Sequence, residues 1–192
     1  MRETGIPISA IQPASAPLAP PMPVAAVRRI ALLGNPNCGK TALFNLLTGS
    51  RQKVANYPGV TVERKSGVIV TPAGRRVEAL DLPGAYSLNA SASDQALTRD
   101  IITGNSSEPP PELLVCVVDA TRLALNLQLV LQAQRLCVPM VLALNMSDMA
   151  RAQGITIDTQ ALSTALGMPV VSTVGVKKGG AQQLLELLVT LA

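Results

Sequence analysis

Hydrophobic positions fall along this chain in short blocks. The runs at 30–33, 113–118 and 140–144 are continuously apolar, as strands are when a parallel sheet is covered on both faces, and the first strand is expected over 27–33. Between them the period changes to that of a helix. Leu43, Leu46 and Leu47 share one face of a helix over 40–48, which Gly49 stops. Leu184, Leu187, Leu188 and Leu191 do the same over 182–191, and further helices are expected at 94–102, 123–136 and 158–166, the last capped by Gly167. Residues 63–71 and 76–82 read as strands joined by a hairpin turn at Pro72-Ala73-Gly74. A short strand is expected at 170–171, and loops at 51–62, 85–93 and 104–111. Strands alternating with helices predict a three-layer α/β domain, with a mostly parallel six-stranded sheet flanked by about five helices.

Composition narrows the core and the chemistry. The chain has 192 residues, 48% of them hydrophobic, which suits one domain. It has no tryptophan, one phenylalanine and no histidine, so the core is aliphatic and a histidine-based catalyst or metal site is excluded. Residues 1–26 are rich in Pro, Ala and Ser and read as a disordered or polyproline-like leader, leaving 27–192 as the folded domain. The start of the chain lacks the basic and apolar regions of a signal peptide. No apolar run approaches the roughly 18–20 residues of a membrane-spanning helix. Net charge is +4, and its basic pairs, Arg64-Lys65, Arg75-Arg76 and Lys177-Lys178, are scattered rather than striped. They read as solvated surface, with no nucleic-acid partner. Cys38, Cys116 and Cys137 have no metal-ligand spacing and suggest a reducing compartment. The apolar contexts of Cys116 and Cys137 predict small core residues.

The chemistry gathers where strands end. After 27–33 comes Gly34-Asn35-Pro36-Asn37-Cys38-Gly39-Lys40-Thr41, a GxxxxGK[ST] loop between a strand and a helix. Its backbone N–H groups can cradle phosphate oxygens beside the positive end of the helix dipole. Lys40 can reach β- and γ-phosphates, and the Thr41 hydroxyl can ligate Mg²⁺. Such a loop alone leaves ATPases, kinases and GTPases open. Asp81 ends the 76–82 strand and precedes Leu82, Pro83 and Gly84. A carboxylate there can hold Mg²⁺ opposite Thr41, and Gly84 lets a backbone N–H approach a γ-phosphate. Asn145-Met146-Ser147-Asp148 follows the 140–144 strand. Asp148 can accept from the N1–H and 2-amino groups of guanine, donors that adenine lacks, while Asn145 ties this loop to the phosphate loop. Thr61, between the two phosphate-side motifs, can join the Mg²⁺ shell when a γ-phosphate is present, or be an ordinary strand threonine.

These strings resemble the translation-factor-like GTPases and, within them, the cytosolic G domain of the FeoB ferrous-iron transporters. The resemblance covers 27–192, and its most specific part is 56–65, Asn-Tyr-Pro-Gly-Val-Thr-Val-Glu-Arg-Lys. It implies a Ras-like fold and Mg²⁺-dependent GTP hydrolysis. By carry-over, Gly34 to Ala42, Gly59, Val60, Thr61, Asp81 to Gly84, Asn145, Met146, Asp148, Ser172, Thr173 and Val174 contact GTP or GDP. Thr41, Thr61 and Asp81 serve Mg²⁺. Asn37 is the expected K⁺ ligand, with carbonyls near Ala55 and Tyr57, and the catalytic set is Asn37, Lys40, Thr61 and Gly84. The family couples hydrolysis to Fe²⁺ uptake by a membrane-embedded permease domain, which places the G domain on the cytoplasmic face of the inner membrane and leaves an oligomer of the full-length protein open. Ala85 stands where Ras-type enzymes carry a water-orienting glutamine, which implies slow turnover. The last guanine motif, Ser172-Thr173-Val174-Gly175, is degenerate. Cys38, commonly a serine in relatives, is expected to have no redox role. Relatives continue into a helical domain and membrane spans, so the chain reads as a piece of the transporter or a short stand-alone form. A nucleotide-gated switch with negligible hydrolysis is the alternative function, and an RNA-associated GTPase a third.

Overall fold

The computed structural model describes residues 28–57, 62–88 and 93–191. The expected leader and the switch positions Gly59, Val60 and Thr61 lie outside the described residues. The sheet has seven strands in the order β2-β3-β4-β1-β5-β6-β7. They are β1 (Arg29–Gly34), β2 (Gln52–Asn56), β3 (Glu63–Val70), β4 (Arg76–Asp81), β5 (Leu113–Asp119), β6 (Met140–Asn145) and β7 (Val170–Ser172). β1 pairs in parallel with β4 and β5, β5 with β6, and β6 with β7, whereas β2 and β3 add antiparallel at one side. The helices are α1 (Lys40–Thr48), α2 (Ser93–Thr103), α3 (Leu123–Gln134), α4 (Ser147–Ala152), α5 (Thr159–Leu166) and α6 (Gln182–Thr190).

The continuous apolar runs are explained by two cores, one on each side of the sheet. Ile30 and Leu32 face Leu43, Phe44 and Leu47 of α1 and Leu184 and Leu188 of α6. Ala31 and Leu33 point the other way, toward Ile101 and Ile102 of α2 and Leu129, Val130 and Ala133 of α3. β5 alternates in the same manner, with Leu113, Val115 and Val117 in one core and Leu114, Cys116 and Val118 in the other. A strand with both faces covered has no polar side, because side chains project to opposite faces at period 2.

Local chemistry sets the ends of several elements. Gly49 closes α1 in the left-handed region at φ 63°, its N–H donating to Asn45 O. The β3–β4 hairpin turns through Gly74 at φ 77°, with Thr71 N–H donating to Arg75 O at 2.8 Å.

Three expectations change. Segment 51–62 is not loop throughout: it holds β2, which makes the sheet seven-stranded rather than six. Every residue of β2 is exposed, so no apolar pattern marks it, and backbone pairing to β3 (Val54 opposite Lys65) forms it instead. The short α4 lies in what reads as loop and raises the helices to six among the described residues. Cys116 is buried as expected, but Cys137 is exposed in a turn after α3 at φ 57°, outside either core. Chain direction reverses toward β6 there, so apolar neighbours in sequence did not mean burial.

Candidate functional site

The carboxyl ends of β1, β4 and β6 bring the motif residues to one edge of the sheet. β1 ends at Gly34, where a side chain has no room: a Cβ would lie 2.5 Å from Val117 O and 2.7 Å from Cys38 Sγ. Asn37 takes a left-handed conformation at φ 65°, which asparagine tolerates. Gly39 follows at φ 79°, and a Cβ on it would lie 2.3 Å from Asn145 Nδ2. α1 then begins at Lys40 with no side-chain cap and no acidic residue in its first turn. Its first N–H groups are therefore open to an anion.

Across the loop stands Asp81, the last residue of β4 and 5% exposed. One carboxylate oxygen pairs with the buried Lys40 ammonium, and the other accepts from the Thr41 hydroxyl at 2.9 Å. The three residues expected to serve phosphate and Mg²⁺ thus meet directly. A threonine hydroxyl and a carboxylate are hard oxygen donors, the set Mg²⁺ takes. Gly84, exposed, rests against Pro36, with a Cβ position 3.3 Å from Pro36 Cγ. Ala85 is buried, and its N–H donates to Gly34 O at 3.2 Å. The phosphate loop and the segment after Asp81 are therefore packed together.

Asn145 joins three loops. Its Nδ2 donates to Cys38 O at 3.0 Å. Its Oδ1 accepts from Gly175 N at 2.8 Å and from the Thr173 hydroxyl at 3.3 Å. The expected tie to the phosphate loop is present, and the same side chain also fixes the degenerate last motif. Gly175 is required here, since a Cβ would sit 2.9 Å from Leu43 N. Ser147 adds a bond from its hydroxyl to Thr173 O at 3.0 Å. Gly175 and Ser147 lie inside the quoted motif strings, but no role is expected of either from the sequence. Met146 turns the chain at φ 58°, placing Asp148 in the first turn of α4. Asp148 is exposed and accepts no hydrogen bond from the described residues, so both oxygens remain available to a base edge.

Burial settles the thiol and phenol groups near the site. It pushes the Cys38 thiol up against the opposing pull of a backbone bond and of the Lys40 charge, so the thiol stays protonated and inert. Burial likewise pushes Tyr57 up to about 12. Its hydroxyl is among the buried polar atoms without a partner in the described residues, as is Asn35 Oδ1. Tyr57 N–H donates to Val62 O at 3.0 Å, tying together the two described residues that flank 58–61. Asn37 is exposed, and its side chain makes no hydrogen bond among the described residues.

A sequence model of the family described as ferrous iron transport protein B matches residues 28–188. The Fe(2+) transporter FeoB of Salmonella typhimurium is 48% identical over 155 residues, covering 81% of this chain and 20% of the transporter. A Porphyromonas gingivalis protein described as an Fe(2+) transport protein A/FeoB fusion is 42% identical over 165 residues, 86% of this chain and 19% of its own. The chain thus spans about one fifth of the length of the curated relatives it matches. Among solved structures, the FeoB G domain from Methanococcus jannaschii aligns with a TM-score of 0.73 and 38% identity, covering 85% of this chain and 96% of that one. The cytosolic domain of T. maritima FeoB in its GMPPNP form aligns at 0.75 and 38%, over 84% of this chain and 62% of that one.

Proposed function

We propose that this chain, which belongs to the ferrous iron transport protein B family as its cytosolic G domain, binds GTP and hydrolyses it slowly to GDP and phosphate with the help of Mg²⁺ and K⁺. The observation that carries this reading is the meeting of Lys40, Thr41 and Asp81 beneath an uncapped helix N-terminus. In this arrangement Lys40 neutralises Asp81; with a nucleotide present, its ammonium turns to the β- and γ-phosphates. Thr41 and Asp81, joined by Thr61, would hold Mg²⁺, which would supply positive charge to neutralise the phosphates. The loop from Gly34 to Ala42 would cradle the phosphates, with N–H groups at the start of α1 pointing to them. Gly84 would bring a backbone N–H to the γ-phosphate, and Gly59 and Val60 are further nucleotide contacts in this proposal. Asp148 reads guanine, while Met146, Ser172, Thr173 and Val174 cover the base.

Asn37 would hold K⁺, together with carbonyls near Ala55 and Tyr57. Its exposed and uncommitted side chain, at a left-handed position on the loop, fits that part. Such an ion supplies positive charge where charge develops on the phosphates. Ala85 cannot orient water, so backbone groups must do it, and turnover is slow. In the longer relatives the domain would pass its nucleotide state to a membrane-embedded permease that carries Fe²⁺, from the cytoplasmic face of the inner membrane. The nucleotide is its small-molecule partner, and nucleic acid is not one.

A second reading is a nucleotide-gated switch with negligible hydrolysis. It draws on Ala85, whose amide is held by Gly34 O rather than offered to a water. Single-turnover hydrolysis in K⁺ and in Na⁺, with the parent and an Asn37→Ala variant, separates the readings. The proposal expects faster hydrolysis in K⁺ and loss of that advantage in the variant. A rate equal in both salts and in both proteins removes the K⁺ role. A rate no faster than GTP in buffer favours the switch.

A further inference from the structure

α3 has no charged residue from Leu123 to Gln134. One of its few polar side chains reaches the segment that follows Asp81. Gln132 Oε1 accepts from the Leu88 backbone N–H at 2.7 Å and from the Ser87 hydroxyl at 3.0 Å. The same segment is held upstream by the sheet and the phosphate loop: Leu82 N–H donates to Leu32 O at 3.1 Å, and Ala85 N–H to Gly34 O at 3.2 Å. Leu82, Ala85 and Leu88 are buried, whereas Gly84 and Tyr86 are exposed. The segment is thus fixed at both ends and open in the middle, where Gly84 faces Pro36 of the phosphate loop. Upstream the anchors are backbone groups of β1. Downstream, one side-chain carbonyl on a different element takes both bonds.

We propose that Gln132 is a positioning residue for GTP hydrolysis: its amide carbonyl fixes Ser87 and Leu88, and through them holds the Gly84 backbone N–H against the terminal phosphate. The inference rests on the GTPase reading above. Its physical basis is the methyl group of Ala85. With no side chain there to orient water or phosphate, the reaction depends on how well the backbone is placed, and a displacement well under the length of a bond weakens a preorganised donor. The guanine and the inner phosphates are held by other groups, Gly34 to Thr41 and Asn145 to Asp148. Loosening the Gln132 anchor therefore acts on the terminal phosphate and spares GDP.

The test compares Gln132→Leu, which keeps the volume and removes the acceptor, with Gln132→Glu, which keeps an acceptor oxygen. Single-turnover GTP hydrolysis and the affinities for fluorescent GDP and GMPPNP are measured for each. Gln132→Leu should slow hydrolysis about tenfold and weaken GMPPNP about fivefold, with GDP affinity changed less than about twofold. Gln132→Glu should restore both to within about threefold of the parent. The proposal is overturned by parental hydrolysis in Gln132→Leu, by a matching loss of GDP affinity, or by failure of Gln132→Glu to restore. If Gln132→Leu does not fold, Gln132→Asn, which falls one methylene short of Leu88, takes its place under the same criteria. A parent that does not hydrolyse GTP sinks the GTPase reading, and the GMPPNP-to-GDP affinity ratio still decides the role of Gln132.

Discussion

Asp148 is exposed at the start of α4, with no bond to the described residues. Its only evident task is outward, toward a base. Guanine offers it two donors, whereas xanthine replaces the 2-amino group with a carbonyl that repels a carboxylate. Asp148→Asn should therefore weaken GTP by about tenfold to a hundredfold and strengthen xanthosine triphosphate by a similar factor, measured by competition against fluorescent GDP. An unchanged preference would mean the base is read elsewhere. Cys116 gives a second prediction. Burial pushes its thiol from the usual value near 9 to about 12. Above pH 9 the unfolded chain releases this proton and the native chain does not, so the unfolded state binds fewer protons. Stability is then complete below pH 9 and falls as pH rises toward 12, by at most about 1.4 kcal/mol per pH unit from this group. Tyr57, pushed up to about 12, adds a similar fall beginning near its usual value of 10. Urea unfolding across that range should show a shallower slope in Cys116→Ala than in the parent. At this scale the sequence was informative wherever chemistry requires a fixed residue at a fixed spacing, as at Gly39, Lys40, Thr41 and Asp81. It was silent on Gln132 and marked Gly175 only as the end of a degenerate motif. An amide acceptor or a missing Cβ leaves no pattern until the fold brings a partner from 44 or 30 positions away.

Elements show the same division for a different reason. β1, β5 and β6 were legible because both their faces are buried, so hydrophobicity alone marked them. β2 is exposed along its whole length, and it exists only because β3 offers a ladder. Its backbone groups are recorded in no side-chain pattern. α4 is too short to show a period. These differences predict unequal sensitivity to substitution. Val54, on β2 and 56% exposed, should accept lysine with a change within about 0.5 kcal/mol. Phe44, on α1 and fully buried in the core on that side of the sheet, should cost about 3–5 kcal/mol on replacement by alanine. Urea titrations followed by far-ultraviolet circular dichroism measure both. Comparable losses at the two positions would mean that β2 is packed against something further in the folded protein. The Phe44 site also touches function. α1 carries Lys40 and Thr41 at its start, so a helix that shifts into the vacated space should weaken nucleotide binding as well.

At the scale of the whole molecule the two cores share one wall. β1, β5 and β6 each contribute alternate side chains to both sides of the sheet. Losing either core exposes the other face of the same strands, so the domain should unfold as one cooperative unit. The proposed nucleotide site sits at the carboxyl ends of two of these strands, β1 and β6, and of β4 beside them. Its loops are cross-tied by Asn145 to Cys38, Thr173 and Gly175. A ligand held there binds only when the entire sheet is formed. GDP with Mg²⁺ at about a hundred times its dissociation constant should then raise the unfolding free energy by about 2.7 kcal/mol. The whole transition should move to higher urea with its steepness unchanged, because the surface exposed on unfolding is nearly the same. Since the chain has no tryptophan, circular dichroism must report the sheet and a fluorescent GDP analogue the site. The two curves should coincide. If the site signal were lost at lower urea than the sheet signal, the loops around Asn145 would be opening independently of the strands that carry them, and nucleotide affinity would be set by loop order rather than by the fold as a unit.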